Sequence, residues 1–390
     1  MQMNGGKEDS KVVKLLKQER ESMIERFYHE HLFGRTEQTD FKAALERTLS
    51  SRLTKKVFKD GAQYEGETDI YGTRNGLGIM RFKNSHVYLG EWRNDLFDGH
   101  GAYVFENGER FEGDLVRNKK HGRGSYFYAN GNTYNGQWED DEKSGFGEIS
   151  YANGDKYKGQ WRLSCYHGYG VLQSFTGEKY SGNFVGGKKE GKGVLVYALG
   201  SVYDGEWIGD KAEGFGKITY ANGDVYEGQW KESMKSGEGK YKQADGSEYT
   251  GQFTNDERSG LGVVVYKNGD VYKGDWRCGV RSGKGVYETT TGFSYRGEWC
   301  NDQVNGLGTL TYPNGDVYEG EWFNGTKNGV GQFNGVDGES YEGRWLEDRR
   351  NGKGRYVWQR EDTLTGEFQD DEIMFGELVD KEGQRRVIDK

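Results

Sequence analysis

The sequence is dominated by a repeat of 23 residues. A pentapeptide with an aromatic residue first, glycine third and tryptophan fifth begins at Tyr64 and recurs to Leu364 in fourteen copies, with a first step of 24 residues and later steps of 23. Glycine fills the third position in all fourteen copies, an aromatic residue fills the first in thirteen, and Trp fills the fifth in nine. A fixed period of this length is typical of proteins in which each repeat packs against its neighbours.

A Gly-x-Gly motif runs in phase with the pentapeptide, in thirteen copies from Gly76 to Gly352. Apolar and polar residues alternate in both motifs, so each repeat is predicted to form two short strands. We expect an even-length loop that pairs Trp92 directly with Gly99, and a three-residue loop before Tyr88 that ends in a left-handed glycine in most repeats. With these loops, the repeated aromatic and glycine positions share one face of the sheet, which we call the aromatic face.

The composition fits a thin structure. The chain has 64 glycines and one proline, 33% hydrophobic and 14% aromatic residues, and a mean hydropathy of -0.98. Too few aliphatic residues are present for a thick core, whereas glycine leaves room for a ring to lie across the neighbouring strand. The sequence therefore predicts an all-β repeat array, an elongated single-layer antiparallel meander of about fourteen hairpins. The opposite face, rich in Glu, Gln, Lys and Asp, should be solvated.

Three segments are expected. Residues 1–57 have apolar residues at helical spacing and are predicted to be a helical N-terminal segment, residues 58–378 the repeat array, and residues 379–390 a C-terminal cap or tail. The helices could cover the open edge of the first strand, dock a partner, or be disordered; the sequence leaves these alternatives open.

The Tyr-x-Gly-x-Trp and Gly-x-Gly motifs on a 23-residue period resemble MORN repeats over residues 58–370. Such repeats are found in ciliary radial spoke head proteins, junctophilins, plant phosphatidylinositol phosphate kinases and protist cytoskeletal scaffolds. The resemblance implies an elongated hairpin array that binds or positions other proteins, and it does not select a partner.

Charge and cysteine content narrow the function classes. The net charge of -9 and pI near 5.4 argue against nucleic-acid partners and disfavour membrane lipids. Three cysteines are too few for a disulfide framework, and neither a signal peptide nor a membrane-spanning apolar run is recognisable. We therefore expect a cytoplasmic, cytoskeletal protein, which the resemblance extends to a cilium or flagellum axoneme.

No catalytic, cofactor-binding or metal-binding residues are predicted, and the protein is not expected to be an enzyme. The run from Gly186 to Gly193 nearly matches a phosphate-binding loop, but Gly193 stands where Ser or Thr is required. His29 and His31 are a weak candidate for a metal site, and they are equally consistent with exposed residues on the surface of a helix.

Two sets of residues could bind a partner. The aromatic face is either the only core of the sheet or a groove for a helix or peptide. Its candidate residues are Tyr88, Trp92, Tyr134, Trp138, Tyr157, Trp161, Tyr203, Trp207, Tyr226, Trp230, Tyr272, Trp276, Tyr295, Trp299, Tyr318, Trp322, Tyr341 and Trp345. Basic hairpin loops could instead bind phosphoinositides. Their candidate residues are Arg117, Lys119, Lys120, Lys188, Lys189, Arg349 and Arg350.

The leading hypothesis is a non-enzymatic elongated scaffold that binds and spaces other proteins in a cytoskeletal, ciliary or flagellar assembly. The alternative is a membrane-associated adaptor that binds phospholipids through the basic loops. Whether two copies pair as a homodimer is left open by the sequence.

Overall fold

The structure, a computed structural model, describes residues 54–390. The helices predicted for residues 1–57 lie outside this range, except that the last four of those residues form a strand, so the sheet begins at Thr54 and not at residue 58. Within the described range the chain forms strands and turns and no helix. All thirty strands belong to one open antiparallel sheet in which each strand pairs with the next along the chain, confirming the predicted fold class.

The chain divides into two compact units, the first ending at Gly145 and the second beginning at Phe146. The first unit contains β1 Thr54–Val57, β2 Gln63–Thr68, β3 Arg74–Arg81, β4 Val87–Arg93, β5 Leu96–Val104, β6 Arg110–Val116, β7 Lys119–Phe127 and β8 Thr133–Glu139. Strand β9, Glu142–Ser150, contains the boundary.

The second unit continues with the remaining strands. They are β10 Lys156–Arg162, β11 Cys165–Gln173, β12 Lys179–Val185, β13 Lys188–Val196, β14 Val202–Ile208, β15 Lys211–Thr219, β16 Val225–Lys231, β17 Met234–Lys242, β18 Glu248–Thr254, β19 Glu257–Val265, β20 Val271–Arg277, β21 Val280–Glu288, β22 Ser294–Cys300, β23 Gln303–Thr311, β24 Val317–Phe323, β25 Thr326–Asn334, β26 Ser340–Leu346, β27 Arg349–Val357, β28 Thr363–Gln369, β29 Glu372–Val379 and β30 Arg385–Asp389. The last hairpin, β29 and β30, lies across the predicted boundary at residue 379.

Two kinds of loop alternate along the sheet, as the sequence predicted. A three-residue loop connects β3 to β4, closed by the Phe82 N–H, which donates to the His86 carbonyl at 2.9 Å. Its last residue, Ser85, has φ 64°, the left-handed conformation that glycine adopts in most other loops of this kind. Two-residue turns connect the other pairs; Asn94 and Asp95, with φ 51° and 64°, form one of them.

The predicted pairing of Trp92 with Gly99 is wrong. Trp92 pairs with Phe97 on β5, while Gly90 pairs with Gly101, so that three residues of β5 stand opposite one residue of β4. An equivalent β-bulge recurs in most of the other repeats, and it explains the first glycine of Gly-x-Gly: all thirteen have φ between 57° and 116°. A side chain is strained in that region, so glycine is favoured there by its backbone.

Tyrosine rings cover most of the glycines at the third position of the pentapeptide and at the second glycine position of Gly-x-Gly. A Cβ atom added to Gly228 would lie 2.5 Å from the Gly239 Cα and 2.6 Å from the Tyr226 hydroxyl, and one added to Gly239 would lie 2.5 Å from the Tyr226 ring. The Tyr226 hydroxyl in turn donates to the Gln229 carbonyl at 2.8 Å. The predicted role of these glycines, to leave room for a phenol ring, is confirmed.

Rings from successive repeats form a continuous series in the second unit. The Tyr203 ring lies between Trp207 and Trp230, with both centroids at 5.1 Å and both ring planes nearly perpendicular to its own. Such edge-to-face pairs are favourable beyond the area that they bury. The bulge also keeps Trp230 from pairing with Gly237 or Gly239 on the next strand.

The bulge gives Trp230 partners on both neighbouring strands. It pairs with Gly214 on β15 and with Lys235 on β17. Its indole N–H donates to the Gly216 carbonyl at 3.0 Å. Each tryptophan therefore fastens its repeat to the strand before it.

Candidate protein-binding surface

The aromatic face is the core of the sheet. All eighteen aromatic residues that the sequence nominated for this face are at most 8% exposed. Burial also makes the tyrosine hydroxyls harder to ionise: desolvation raises the pKa of Tyr249, and likewise that of Tyr341, to about 12. Because so little ring surface reaches solvent, these residues serve packing first, and a partner would meet only their edges.

The opposite face, which was predicted to be rich in polar residues and solvated, also carries a row of exposed apolar side chains. They occupy the middle position of Gly-x-Gly, whose side chains alternate with the buried positions of the same strand. In the second unit, between 55% and 67% of each of these residues is exposed, a set we call the apolar row: Phe146, Tyr169, Phe215, Leu261, Leu307 and Val330. Large exposed apolar groups in a regular arrangement indicate an interaction surface.

Charged residues separate several members of the apolar row. Lys192, Glu238 and Lys284 take the same middle position in intervening repeats. Across the strand pair, Leu261 lies beside Asp275 and Leu307 beside Glu321. An apolar group bordered by charges is the pattern of a protein interface with a polar rim.

The apolar row ends in an open groove. Val330 and Phe375 line this groove of about 520 Å³, together with Arg344, Lys353 and Glu367. Phe375 is 54% exposed and occupies the position in β29 that is equivalent to the apolar row. The sequence carried a signal for this surface that was missed, since seven of the thirteen Gly-x-Gly motifs have Leu, Phe, Tyr or Val in the middle.

A ladder of cations crosses the aromatic face beside the two-residue turns. Each cation lies near the start of a Gly-x-Gly strand with its charged group over aromatic rings, and we call these residues the stacked cations. They are Arg74, Lys120, Lys143, Lys189, Lys235, Arg258, Arg281, Lys327 and Arg350.

An aspartate of the following turn partners seven of the nine stacked cations. The Arg281 guanidinium carbon lies 4.4 Å from the Trp299 ring centroid, and its Nε donates to Asp302 at 3.0 Å. The same Asp302 oxygen accepts the Arg281 backbone N–H at 2.9 Å. The other six aspartates accept the backbone N–H in the same way. These seven pairs thus tie their repeats to the next turn along the sheet.

Carboxylates match most of the basic residues nominated for lipid binding. Lys119 lies 3.4 Å from Asp140, and Arg349 lies 3.7 Å from Asp370. The three nominated residues that follow Lys119, Lys188 and Arg349 in sequence are stacked cations with aspartate partners: Lys120, Lys189 and Arg350. Arg117 and Lys188 lie exposed at the turns. These loops consequently present little unbalanced positive charge.

Other candidate chemistry is sparse. Among residues 54–390, no helix is long and apolar enough to cross a membrane. No group of three or more His, Cys, Asp or Glu side chains in that range could hold a metal ion. The three cysteines are exposed and free. His29 and His31 lie outside the described residues.

Solved structures resemble this chain only weakly. The TCP domain of SAS-4 from Drosophila melanogaster, in complex with a proline-rich motif of Ana2, is 14% identical with a TM-score of 0.27, covering 40% of this chain and 85% of that one. The TCP10 domain of Danio rerio CPAP, in complex with a STIL peptide, is 11% identical with a TM-score of 0.20, covering 69% and 94%. Virginiamycin B lyase of Staphylococcus aureus is 10% identical with a TM-score of 0.13, covering 68% and 83%. Similarity this low carries no argument about function.

No curated protein matches the sequence significantly. The MORN repeat family matches in twelve consecutive segments: residues 88–110, 111–133, 134–156, 157–179, 180–202, 203–225, 226–248, 249–271, 272–293, 295–317, 318–340 and 341–363. Since these segments cover well over half of the sequence, the chain belongs to the MORN repeat family.

Proposed function

We propose that the protein is a non-enzymatic scaffold that binds other proteins through the apolar row and holds them at fixed spacing. The observation that carries this proposal is the exposure of Phe215, Leu261 and Leu307 on a face that the fold does not need for its core. Membership of the MORN repeat family supports a protein-binding scaffold in general. Apolar anchors with charged neighbours favour protein partners over small ligands.

The spacing of the apolar row suits a scaffold. Phe215, Leu261 and Leu307 lie on β15, β19 and β23, four strands apart in each case. With strands about 4.8 Å apart, neighbouring anchors are about 19 Å apart across the sheet. Several small contacts at a fixed spacing give specificity to an extended partner or to a series of identical domains.

A more specific part of the proposal is the location of the scaffold in the cell. We place the scaffold in the cytoskeleton, in a ciliary or flagellar axoneme, on the resemblance to radial spoke head proteins alone. A fluorescent tag on the full chain, imaged beside a tubulin marker in ciliated cells, tests this placement. Signal along the axoneme is expected, and diffuse cytoplasmic signal would reject the axonemal placement without affecting protein binding.

Site-specific photo-crosslinking tests the binding surface. A benzoylphenylalanine introduced at Leu261 or Leu307 should capture the same discrete protein in cells. The matched control places it at Lys240, an exposed residue on the neighbouring part of the sheet. Capture from both row positions but not from Lys240 supports the proposal, and equal capture from all three would reject it.

Phospholipid binding through the basic loops is the competing function. Pairing of Lys119 with Asp140 and of Arg349 with Asp370 speaks against it, since a phosphate would have to displace these carboxylates. Flotation with phosphoinositide liposomes at physiological salt should leave the protein unbound. Salt-sensitive binding that Lys119→Glu abolishes would favour the adaptor instead.

A further inference from the structure

One stacked arginine lacks the carboxylate partner that the three other stacked arginines have. Arg258 lies over Trp276 with its guanidinium carbon 4.3 Å from the ring centroid, the same position that Arg281 holds over Trp299 at 4.4 Å. The turn residue that should face Arg258 is Gly279, where the equivalent residue for Arg281 is Asp302. Among the described residues, no carboxylate lies within ion-pairing distance of the Arg258 guanidinium.

The three other stacked arginines show what is missing. Arg281 donates from Nε to the Asp302 carboxylate at 3.0 Å and from Nη2 to the Asp302 carbonyl at 2.8 Å. Arg74 makes the same fork at 2.7 and 3.1 Å, and Arg350 makes it at 3.0 and 3.1 Å. A charge-assisted fork of this kind is among the stronger hydrogen-bonding arrangements in proteins.

The turn at Gly279 is otherwise in place. Its N–H donates to the Arg258 carbonyl at 3.0 Å, and the Asp302 N–H donates to the Arg281 carbonyl at 3.1 Å. The two turns share this backbone bond and differ in their side chains, since Cys278 and Gly279 replace Asn301 and Asp302. The space is an open cavity of about 280 Å³, lined among others by Tyr241, Tyr266 and Arg258.

We propose that Arg258, Trp276 and Gly279 form a docking site for an aspartate or glutamate side chain of a partner protein. The partner's carboxylate would accept from the Arg258 guanidinium as Asp302 accepts from Arg281. This inference rests on the proposed protein-binding function and adds to it a second contact, on the aromatic face. It also specifies the partner's chemistry: an acidic residue in an extended segment that can reach the turn.

The charges around the cavity favour a carboxylate over a phosphate. Three acidic residues, Asp256, Glu257 and Glu248, also line it, against one further cation, Lys235. Asp256 is engaged, because it accepts the Lys235 backbone N–H at 2.9 Å. A singly charged carboxylate meets less repulsion from these groups than a phosphate dianion would.

Nuclear magnetic resonance of the arginine side chains tests the site in the full-length protein. The probe is the N-acetyl α-amide of aspartate, and the asparagine equivalent is the matched control. The Nε–H signal of Arg258, assigned by its loss in Arg258→Lys, should shift saturably with the aspartate probe only. The Arg281 signal should not move, because Asp302 already occupies its fork.

Gly279→Asp supplies the missing carboxylate within the chain. Asp256 and Asp302 adopt φ 71° and 67° at equivalent turns, so the substitution is compatible with the φ of 81° at Gly279. It should move the Arg258 signal towards those of Arg281 and Arg350 without added probe, and weaken probe binding about tenfold or more. An unresponsive Arg258 signal, undiminished binding in Gly279→Asp, or tighter binding of inorganic phosphate would each overturn the proposal. None of these outcomes bears on crosslinking from Leu261, so the scaffold proposal stands or falls separately.

Discussion

The two faces of the sheet in the second unit are built by alternate residues of the same strands, yet they obey different rules. On the aromatic face, Tyr226 is fully buried and Trp230 is 8% exposed, and their equivalents recur in nearly every repeat. On the opposite face, Phe215 is succeeded at its position by Glu238 and then by Leu261. The same residue types therefore recur every 23 residues on the aromatic face, whereas the residue types on the opposite face vary.

This difference separates stability from recognition. A tyrosine over two glycines and between two indoles leaves no room for substitution, because each ring fills space that its neighbours define. An exposed side chain such as Leu261 touches no such network, so its identity can follow the needs of a partner. The residues that define the family motif therefore lie on the aromatic face, and they say little about what a particular member of the family binds.

Alkaline pH should produce the largest effect on the aromatic face. Burial raises the pKa of Tyr249 and of Tyr180 from 10.0 to about 12, so their ionised forms are disfavoured in the folded state. The unfolded chain then binds fewer protons above pH 10, and stability that is complete below that pH is lost as the pH rises towards 12. Tyrosinate absorbance and circular dichroism should change together in one cooperative step. Gradual ionisation with an intact sheet would show that the rings are accessible.

Trp230→Ala should cause the largest effect of a single substitution. It removes the indole that packs on Tyr203 and the hydrogen bond to the Gly216 carbonyl. A loss of about 3–5 kcal/mol is expected, and in a repeat array it falls on one repeat and its interfaces. Limited proteolysis should cleave the variant near residues 226–245, and protease resistance equal to that of the wild type would contradict the assignment of this face as core.

Gly239→Ala should cost less. The added Cβ would lie 2.5 Å from the Tyr226 ring, which must shift or distort the strand. Overpacking of this kind typically costs about 1–3 kcal/mol, measurable by urea denaturation. Lys240→Ala on the adjacent exposed position is the control and should stay within about 0.5 kcal/mol of the wild type. Equal stability of both variants would argue against the close packing of Tyr226.

Leu261→Ser should have the smallest effect on stability and a large one on binding. The side chain is 67% exposed, so the free energy of unfolding should change by less than about 0.5 kcal/mol. The protein captured by crosslinking from Leu307 should be captured much less in this variant. Loss of stability without loss of capture would reverse the roles that we assign to the two faces.

The repeat, the strands, both loop types and the shared aromatic face could be predicted, because parity and period determine them. The bulge could not be predicted, because placing three residues opposite one leaves every side chain on the face that parity assigns to it. Counting residues therefore placed Trp92 on the correct face but gave it the wrong partner. The stacked cations were missed for the same reason: Arg281 and Asp302 are 21 residues apart, a spacing that has meaning only once the bulge is known. The apolar row was visible in the sequence but was obscured by the expectation of a solvated face.

Hydroxyl-radical footprinting of the wild-type protein tests the division between the faces most directly, because it measures side-chain exposure residue by residue. Tyr226 and Trp230 should be protected, while Tyr169, Phe215 and Leu261 should be oxidised at rates close to those of unfolded peptides. Because tyrosine occurs on both faces, Tyr169 and Tyr226 can be compared without correction for intrinsic reactivity. Equal oxidation of these two tyrosines, or protection of Tyr169, would contradict the account.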